Sequence, residues 1–415
     1  MSSAILSSRT TFSEFSERSV LSSFLQSCNL DKNARGASDV SKRASHHKRH
    51  GHGHGHDSST PGSSSSYGIW SFLFSITEPQ PIVPLSSSLT VPGKLFHFKS
   101  SHFEASEKET RLGEGACYLV DKRNLSSVQG GFAVAVKTPK LTSNSPHTEF
   151  LILRELQVLT HPPIHLHQNI ASILGYSTDI FDPKSQALTL VTELADHGTL
   201  KDFLTQSQYE GKEARTFKTK TSLLHDVASG LEALHDFAIV QGDVKIENVL
   251  IFSASSEQSG LIAKLSDFGY AIPVDWDKRG EGQTERYKGT TILNAPEVRR
   301  RTDISSKDFW KCDVFSYALL VWETIADGSR FYETCTTLKN QVDVLEWLSG
   351  LPEDELLRLA LEFLQRSIKD LEPSLMNILQ RVLKSSLRDN PAKRNSIADI
   401  AKKFRRQTNF AMVKR

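Results

Sequence analysis

Six short polar motifs stand in a set order between apolar runs from Arg111 to Glu297, and that order restricts the chain more than any bulk property does. The first is Arg111-Leu112-Gly113-Glu114-Gly115-Ala116-Cys117-Tyr118-Leu119-Val120, two glycines among residues that suit strands. Glycine leaves no Cβ between a backbone N–H and an approaching phosphate, so such a hairpin can lie over one. Further on, Phe132-Ala133-Val134-Ala135-Val136-Lys137 predicts an apolar strand ending in a lysine, which needs an anionic partner if it is partly buried. A helical pattern follows with Phe150, Leu151, Leu153, Leu156 and Leu159 as its apolar positions and Glu155 inside it. Lys137 and Glu155 can therefore form an ion pair that aims the ammonium at phosphate oxygens. On these motifs alone an ordinary surface pair is the better explanation.

Later motifs remove that ambiguity. Val191-Thr192-Glu193-Leu194-Ala195-Asp196-His197-Gly198-Thr199-Leu200 ends an apolar strand and turns into a short helix. A helix through Leu223, Leu224, Val227, Leu231, Leu234 and His235 leads to Ile239-Val240-Gln241-Gly242-Asp243-Val244-Lys245-Ile246-Glu247-Asn248-Val249-Leu250-Ile251. Then come Lys264-Leu265-Ser266-Asp267-Phe268-Gly269 and Gly289-Thr290-Thr291-Ile292-Leu293-Asn294-Ala295-Pro296-Glu297. With these motifs in this order, the sequence resembles the eukaryotic protein kinase superfamily. The resemblance runs from about Phe96 to Phe404.

It implies an α+β, bilobal fold. An N-lobe over about 96–192 holds five antiparallel strands and one main helix, and a C-lobe over about 196–404 is mostly helical. It also implies roles. Gly113 and Gly115 belong to the phosphate loop; Leu112, Val120, Ala135 and Leu250 wall the adenine of ATP; Thr192 lies behind it, and the backbone of Glu193 and Ala195 bonds its edge. Lys137, held by Glu155, contacts the phosphates. Asp243 accepts the proton of the substrate hydroxyl, Lys245 steadies the γ-phosphate, and Asn248 with Asp267 holds Mg²⁺, a hard ion suited to carboxylate and amide oxygens. Trp310 to Glu323 looks like a buried central helix whose Asp313 anchors the catalytic loop, and Arg394 in Leu387-Arg388-Asp389-Asn390-Pro391-Ala392-Lys393-Arg394 pairs with Glu297. Lys245 and Thr290 resemble the serine/threonine pattern. The expected activity is transfer of the γ-phosphoryl group of ATP to protein serine or threonine hydroxyls, with a pseudokinase acting as a nucleotide-binding or interaction module as the second reading.

Three positions depart from the family pattern. Tyr118 takes the place of the third glycine, so a bulky ring stands near the phosphate site. Gln241-Gly242-Asp243 replaces a His-Arg-Asp triplet, and losing the arginine removes the cation that receives an activation-segment phosphate. Gln241 stands where the family places a histidine packed under Phe268. Thr284, Tyr287 and Thr291 lie in that segment as candidate phosphosites, and without the arginine their control of activity is disfavoured.

Composition matters for what precedes the motifs. Residues 1–100 hold 25 Ser and carry 10 Lys plus Arg against 6 Asp plus Glu, a local +4 within a chain of net +2. The stretch 1–92 shows little periodicity and is expected to be disordered, because it cannot bury enough apolar surface to offset its ordering entropy. Six histidines between His46 and His56 can chelate a divalent metal, but nothing supplies a fixed geometry, so adventitious affinity is the simpler reading. Ile69-Trp70-Ser71-Phe72-Leu73-Phe74-Ser75-Ile76 either docks a partner or lies against the folded part. Near-neutral net charge argues against nucleic acid as a partner. Four cysteines without a CxxC pair suggest neither a disulfide scaffold nor a structural zinc site, and no apolar run is long enough to span a membrane. The expected location is cytoplasmic, with the nucleus as the alternative, since Lys42-Arg43 and Lys48-Arg49 form only a sparse basic cluster.

Overall fold

The computed structural model describes residues 95–413 apart from 105–109, 116–117, 127–131, 141–145, 179–187, 207–215, 255–258, 275–285, 301–303, 306–307 and 368–371. The serine- and histidine-rich stretch 1–92, Cys117 and Thr284 lie outside the described residues.

The N-terminal lobe is a sheet with one long helix against it. Its strands are β1 (Phe96–His97), β2 (Thr110–Glu114), β3 (Tyr118–Leu125), β4 (Phe132–Pro139), β5 (Ile173–Ser177) and β6 (Thr189–Glu193), in the spatial order β1-β5-β6-β4-β3-β2. The expected five-stranded antiparallel sheet is thus corrected to six strands, with β1 parallel to β5 and Phe96 opposite Gly175. Packing explains the extra strand. Phe96 and Phe98 bury in a small cluster with Phe103, Leu125, Val134, Val136 and Val191. Gly175 admits the close approach: a Cβ there would stand 2.0 Å from the Phe96 carbonyl oxygen.

The amphipathic pattern around Glu155 becomes α1 (Pro146–Thr160), which turns Leu151, Ile152, Leu156 and Leu159 into the core. A short helix, α2 (Pro162–His165), completes this lobe's helical side.

Below the sheet the chain is mostly helical. Helix α3 (Leu200–Thr205) begins at Thr199, whose hydroxyl accepts the Asp202 amide while the Asp202 carboxylate accepts the Thr199 amide, a reciprocal cap. Helix α4 (Phe217–Asp236) buries Leu223, Leu224, Val227, Leu231 and Leu234. After α5 (Pro296–Arg299), α6 (Phe309–Ile325) is buried at every residue from Cys312 to Ile325, as expected of a helix apolar all round. Helices α7 (Gln341–Gly350), α8 (Glu355–Ser367), α9 (Pro373–Ser386) and α10 (Ile397–Val413) surround it.

Two small two-stranded ladders matter most for the site. Strands β7 (Ile239–Val240) and β10 (Ile272–Pro273) pair antiparallel, as do β8 (Val249–Ser253) and β9 (Leu261–Leu265). The loop 241–248 lies between β7 and β8, and Asp267-Phe268-Gly269 lies between β9 and β10, so the two ladders fix both segments from both ends.

Candidate active site

Lys137 lies near the end of β4, opposite Val120 of β3 and Leu190 of β6. Its Nζ is 2.5 Å from Glu155 Oε1, and both side chains are buried. Burial penalises the ammonium, but the neighbouring charges of Glu155 and Asp267 outweigh it and raise the Lys137 pKa above its ordinary value. The lysine is thus held as a cation under the charges of Glu155 and Asp267.

Asp243 is the centre of a tight polar group. Its Oδ2 accepts Lys245 Nζ at 2.6 Å, and its Oδ1 accepts the Thr290 hydroxyl at 2.7 Å. Lys245 Nζ also reaches Thr290 Oγ1 at 3.1 Å, closing a triangle of three side chains. The Asn248 amide nitrogen donates to the Asp243 carbonyl at 2.9 Å and to Oδ2 at 3.2 Å. With its nitrogen so committed, Asn248 presents its amide oxygen at the other end. Asp267 has φ +58, a left-handed backbone that aspartate tolerates better than most residues.

Gln241 answers the question its substitution posed. Its Oε1 accepts the Asp243 amide at 2.5 Å, and its Nε2 donates to the Asp267 carbonyl at 3.2 Å. The side chain bridges the two acidic segments, while Phe268 is fully buried in the core. Gly242 has φ +80, and a Cβ on it would stand 2.1 Å from the Tyr270 carbonyl oxygen. Tyr270 therefore packs against bare backbone where the family pattern has an arginine.

Asp313, entirely inaccessible to solvent, accepts four hydrogen bonds: Gln241 N at 2.8 Å, Gly242 N at 3.0 Å, His235 Nε2 at 2.9 Å and the Tyr287 hydroxyl at 3.0 Å. Tyr287 is accordingly withdrawn from the set of phosphorylatable surface residues, because burial and this bond enclose its hydroxyl. Arg394 makes a bidentate pair with Glu297, at 2.5 and 2.8 Å.

The residues expected around adenine divide. Ala135 is buried, Val120 packs against the main core, and Leu250 and Ala195 pack together against Phe252. Leu112 is 47% exposed at the outer strand. Glu193 is more engaged than its expected backbone role implied: its carboxylate takes both Lys264 Nζ, at 2.8 and 2.9 Å, and the Ser172 amide, and its own amide donates to the Ser172 carbonyl. Gly113 lies in β2 opposite Val120, and Gly115 just after that strand, where its amide bonds the Tyr118 carbonyl. The bridging role of Gln241, the His235 contact to Asp313 and the burial of Tyr118 escaped the sequence reading. Only His235 carried a signal, as a polar residue closing an apolar helix face.

Asn248 and Asp267 fit a divalent cation. Their amide and carboxylate oxygens are hard donors, and Mg²⁺ is usually bound through one or two protein oxygens, with phosphates and water completing its shell.

A glycine-bearing β2–β3 hairpin, a buried Lys–Glu pair, an Asp–Lys–Thr triangle and an Asp beside Phe-Gly define a protein kinase domain. The family model for protein tyrosine and serine/threonine kinases matches residues 106–404, most of the chain, and the chain belongs to that family. It is 26% identical over 293 residues to a probable receptor-like protein kinase of Arabidopsis thaliana, covering 70% of this chain and 30% of that protein. It is 29% identical over 226 residues to the tyrosine-protein kinase SYK of Gallus gallus, covering 54% and 33%. A probable serine/threonine-protein kinase of Arabidopsis thaliana, PBL23, is 27% identical over 254 residues, covering 59% and 58%. In each case the chain spans less than two thirds of the relative's own length.

Proposed function

We propose that this chain transfers the γ-phosphoryl group of ATP, with Mg²⁺, to serine or threonine hydroxyls of protein substrates. The triangle of Asp243, Lys245 and Thr290 carries the reading. It leaves one carboxylate between a cation and a hydroxyl, the arrangement that accepts a proton from a short alcohol while a neighbouring ammonium neutralises the moving phosphoryl charge. ATP with its cation supplies the transferable group, and the chain's residues position and neutralise it. Lys137 holds α- and β-phosphate oxygens and Glu155 holds Lys137. Asn248 and Asp267 offer their oxygens to the cation. Val120, Ala135, Leu250 and the Ala195 backbone receive the base. Asp313 and the Glu297–Arg394 pair keep the loop and the activation segment in register.

The test incubates the purified full chain with radiolabelled ATP, Mg²⁺ and generic acceptor proteins, beside Asp243→Asn and Lys137→Met. The expected result is labelled phosphoserine or phosphothreonine with the unmodified chain and at least a 100-fold loss in both variants, the scale of a lost positioned base or charge clamp. Equal labelling in all three, or none in the unmodified chain, refutes it. The second reading, a nucleotide-binding module without transfer, draws on the ring of Tyr118 over Lys137. Ligand-dependent thermal stabilisation without labelling would favour it.

A further inference from the structure

Tyr118 occupies the third position of the glycine motif, yet its side chain is only 5% exposed and belongs to the main core cluster with Ile152 and Leu156 of α1. Alternate residues of a strand share a face, so Tyr118 lies on the same face as Val120. Val120 stands opposite Lys137, and Tyr118 is the next residue of that face along the β3–β4 pair. The result is a ring set over the Lys137 ammonium, Nζ lying 4.9 Å from its centroid. That distance is a cation–π contact, strengthened where water is excluded. Glu155 Oε1 holds the same ammonium at 2.5 Å. Ring, ammonium and carboxylate form one buried unit.

A lysine ammonium has three donors, and a triphosphate bound here needs those not given to Glu155. The Tyr118 ring lies against the same ammonium. We infer that Tyr118 is a positioning residue that stands in for phosphate: without nucleotide it caps Lys137 and keeps the Lys137–Glu155 pair assembled, and it must swing aside when phosphate oxygens arrive. The inference rests on the nucleotide-binding reading above and deepens it. Charge-assisted bonds from an ammonium to phosphate are stronger than its attraction to a ring, so the exchange runs toward phosphate. Displacing the ring nevertheless subtracts from the binding of the phosphates and leaves that of the base alone. The mark of this device is therefore a small gain in affinity from adenosine to ATP, which no purely structural role of Tyr118 would produce.

The experiment measures binding of adenosine and of ATP with Mg²⁺ by calorimetry to the full chain and to Tyr118→Phe, Tyr118→Ala and Tyr118→Leu. The ATP-to-adenosine affinity ratio is expected to rise about tenfold in Tyr118→Ala and by a smaller factor in Tyr118→Leu, which fills space without a π face, and to stay near the unmodified value in Tyr118→Phe. If Tyr118→Ala fails to fold, as near-UV circular dichroism would show, the Tyr118→Leu ratio decides. A ratio equal in the unmodified chain and the ring-less variants, with both ligands binding, overturns the inference and leaves the nucleotide site standing. Folded proteins that bind neither ligand in any form overturn both.

Discussion

Replacing Arg394 by methionine removes a guanidinium that no solvent reaches, while the chain keeps an unbranched apolar stem of similar reach. The guanidinium donates to both oxygens of Glu297, at 2.5 and 2.8 Å, and to the carbonyls of Arg388 at 2.7 Å, Asp389 at 2.9 Å and Lys311 at 3.1 Å. Glu297 is then left as a largely buried charge without its cation, and three carbonyls lose a donor. Breaking a buried pair from one side costs about 3–5 kcal/mol. Against a total stability of roughly 5–15 kcal/mol that is a large share. Glu297→Gln leaves a neutral amide opposite the arginine, and the double variant leaves neither charge. The double variant should therefore lose less than the two single losses combined, by about 2–3 kcal/mol. Urea titration followed by tryptophan fluorescence measures it, since Trp310, Trp322 and Trp347 all lie in the helical lobe. A loss below about 1 kcal/mol for Arg394→Met, or strict additivity within about 0.5 kcal/mol, would refute the argument that these two side chains form one desolvated unit.

Gly242→Ala should destabilise by at least about 2 kcal/mol, because a left-handed residue with a side chain costs about 1–2 kcal/mol and the new Cβ also meets the Tyr270 carbonyl. Gly242→Arg should fare no better despite restoring the family's cation, and a neutral alanine variant in urea titration would contradict both expectations. Burial pushes the Glu323 carboxyl up to about 7, with Arg330 opposing and Glu247 reinforcing the rise. The folded state then keeps a proton that the unfolded state releases from about pH 4.5 upward, so stability falls by roughly 2–4 kcal/mol as pH rises from there to about 7. Melting temperatures of the unmodified chain and Glu323→Gln across pH 5 to 8 should converge at the acid end and part toward neutrality; parallel curves would show that Glu323 is ionised throughout.

The candidate site was legible because the family motifs set particular residue types in a fixed order, and the resemblance carried Lys137, Glu155, Asp243 and Asp267 onto positions that the fold links through the Lys137–Glu155 pair and the Gln241 bridge. What was not legible depended on packing between distant segments. Strand β1 has two residues, too few for any period, and exists because Phe96 finds a cluster around Val134 and a glycine across from it. Gln241 looked like a lost histidine, and only the closeness of the Asp267 carbonyl makes it a bridge. Tyr287 looked available to modification because nothing in its neighbours announces Asp313 26 positions later. Tyr118 looked like an obstruction on the loop, yet its pleat position turns it into the core.

Asp313 follows Gln241 by 72 positions, and Glu297 waits 97 positions for Arg394. As the chain is synthesised from its N-terminus, Lys137, Asp243 and Asp267 have all emerged well before the carboxylate that anchors their loop and the arginine that locks their activation segment. A nascent or truncated chain ending ahead of Asp313 would hold the proposed catalytic residues, both short ladders and the Gln241 bridge, yet lack the two anchors that the later helices bring.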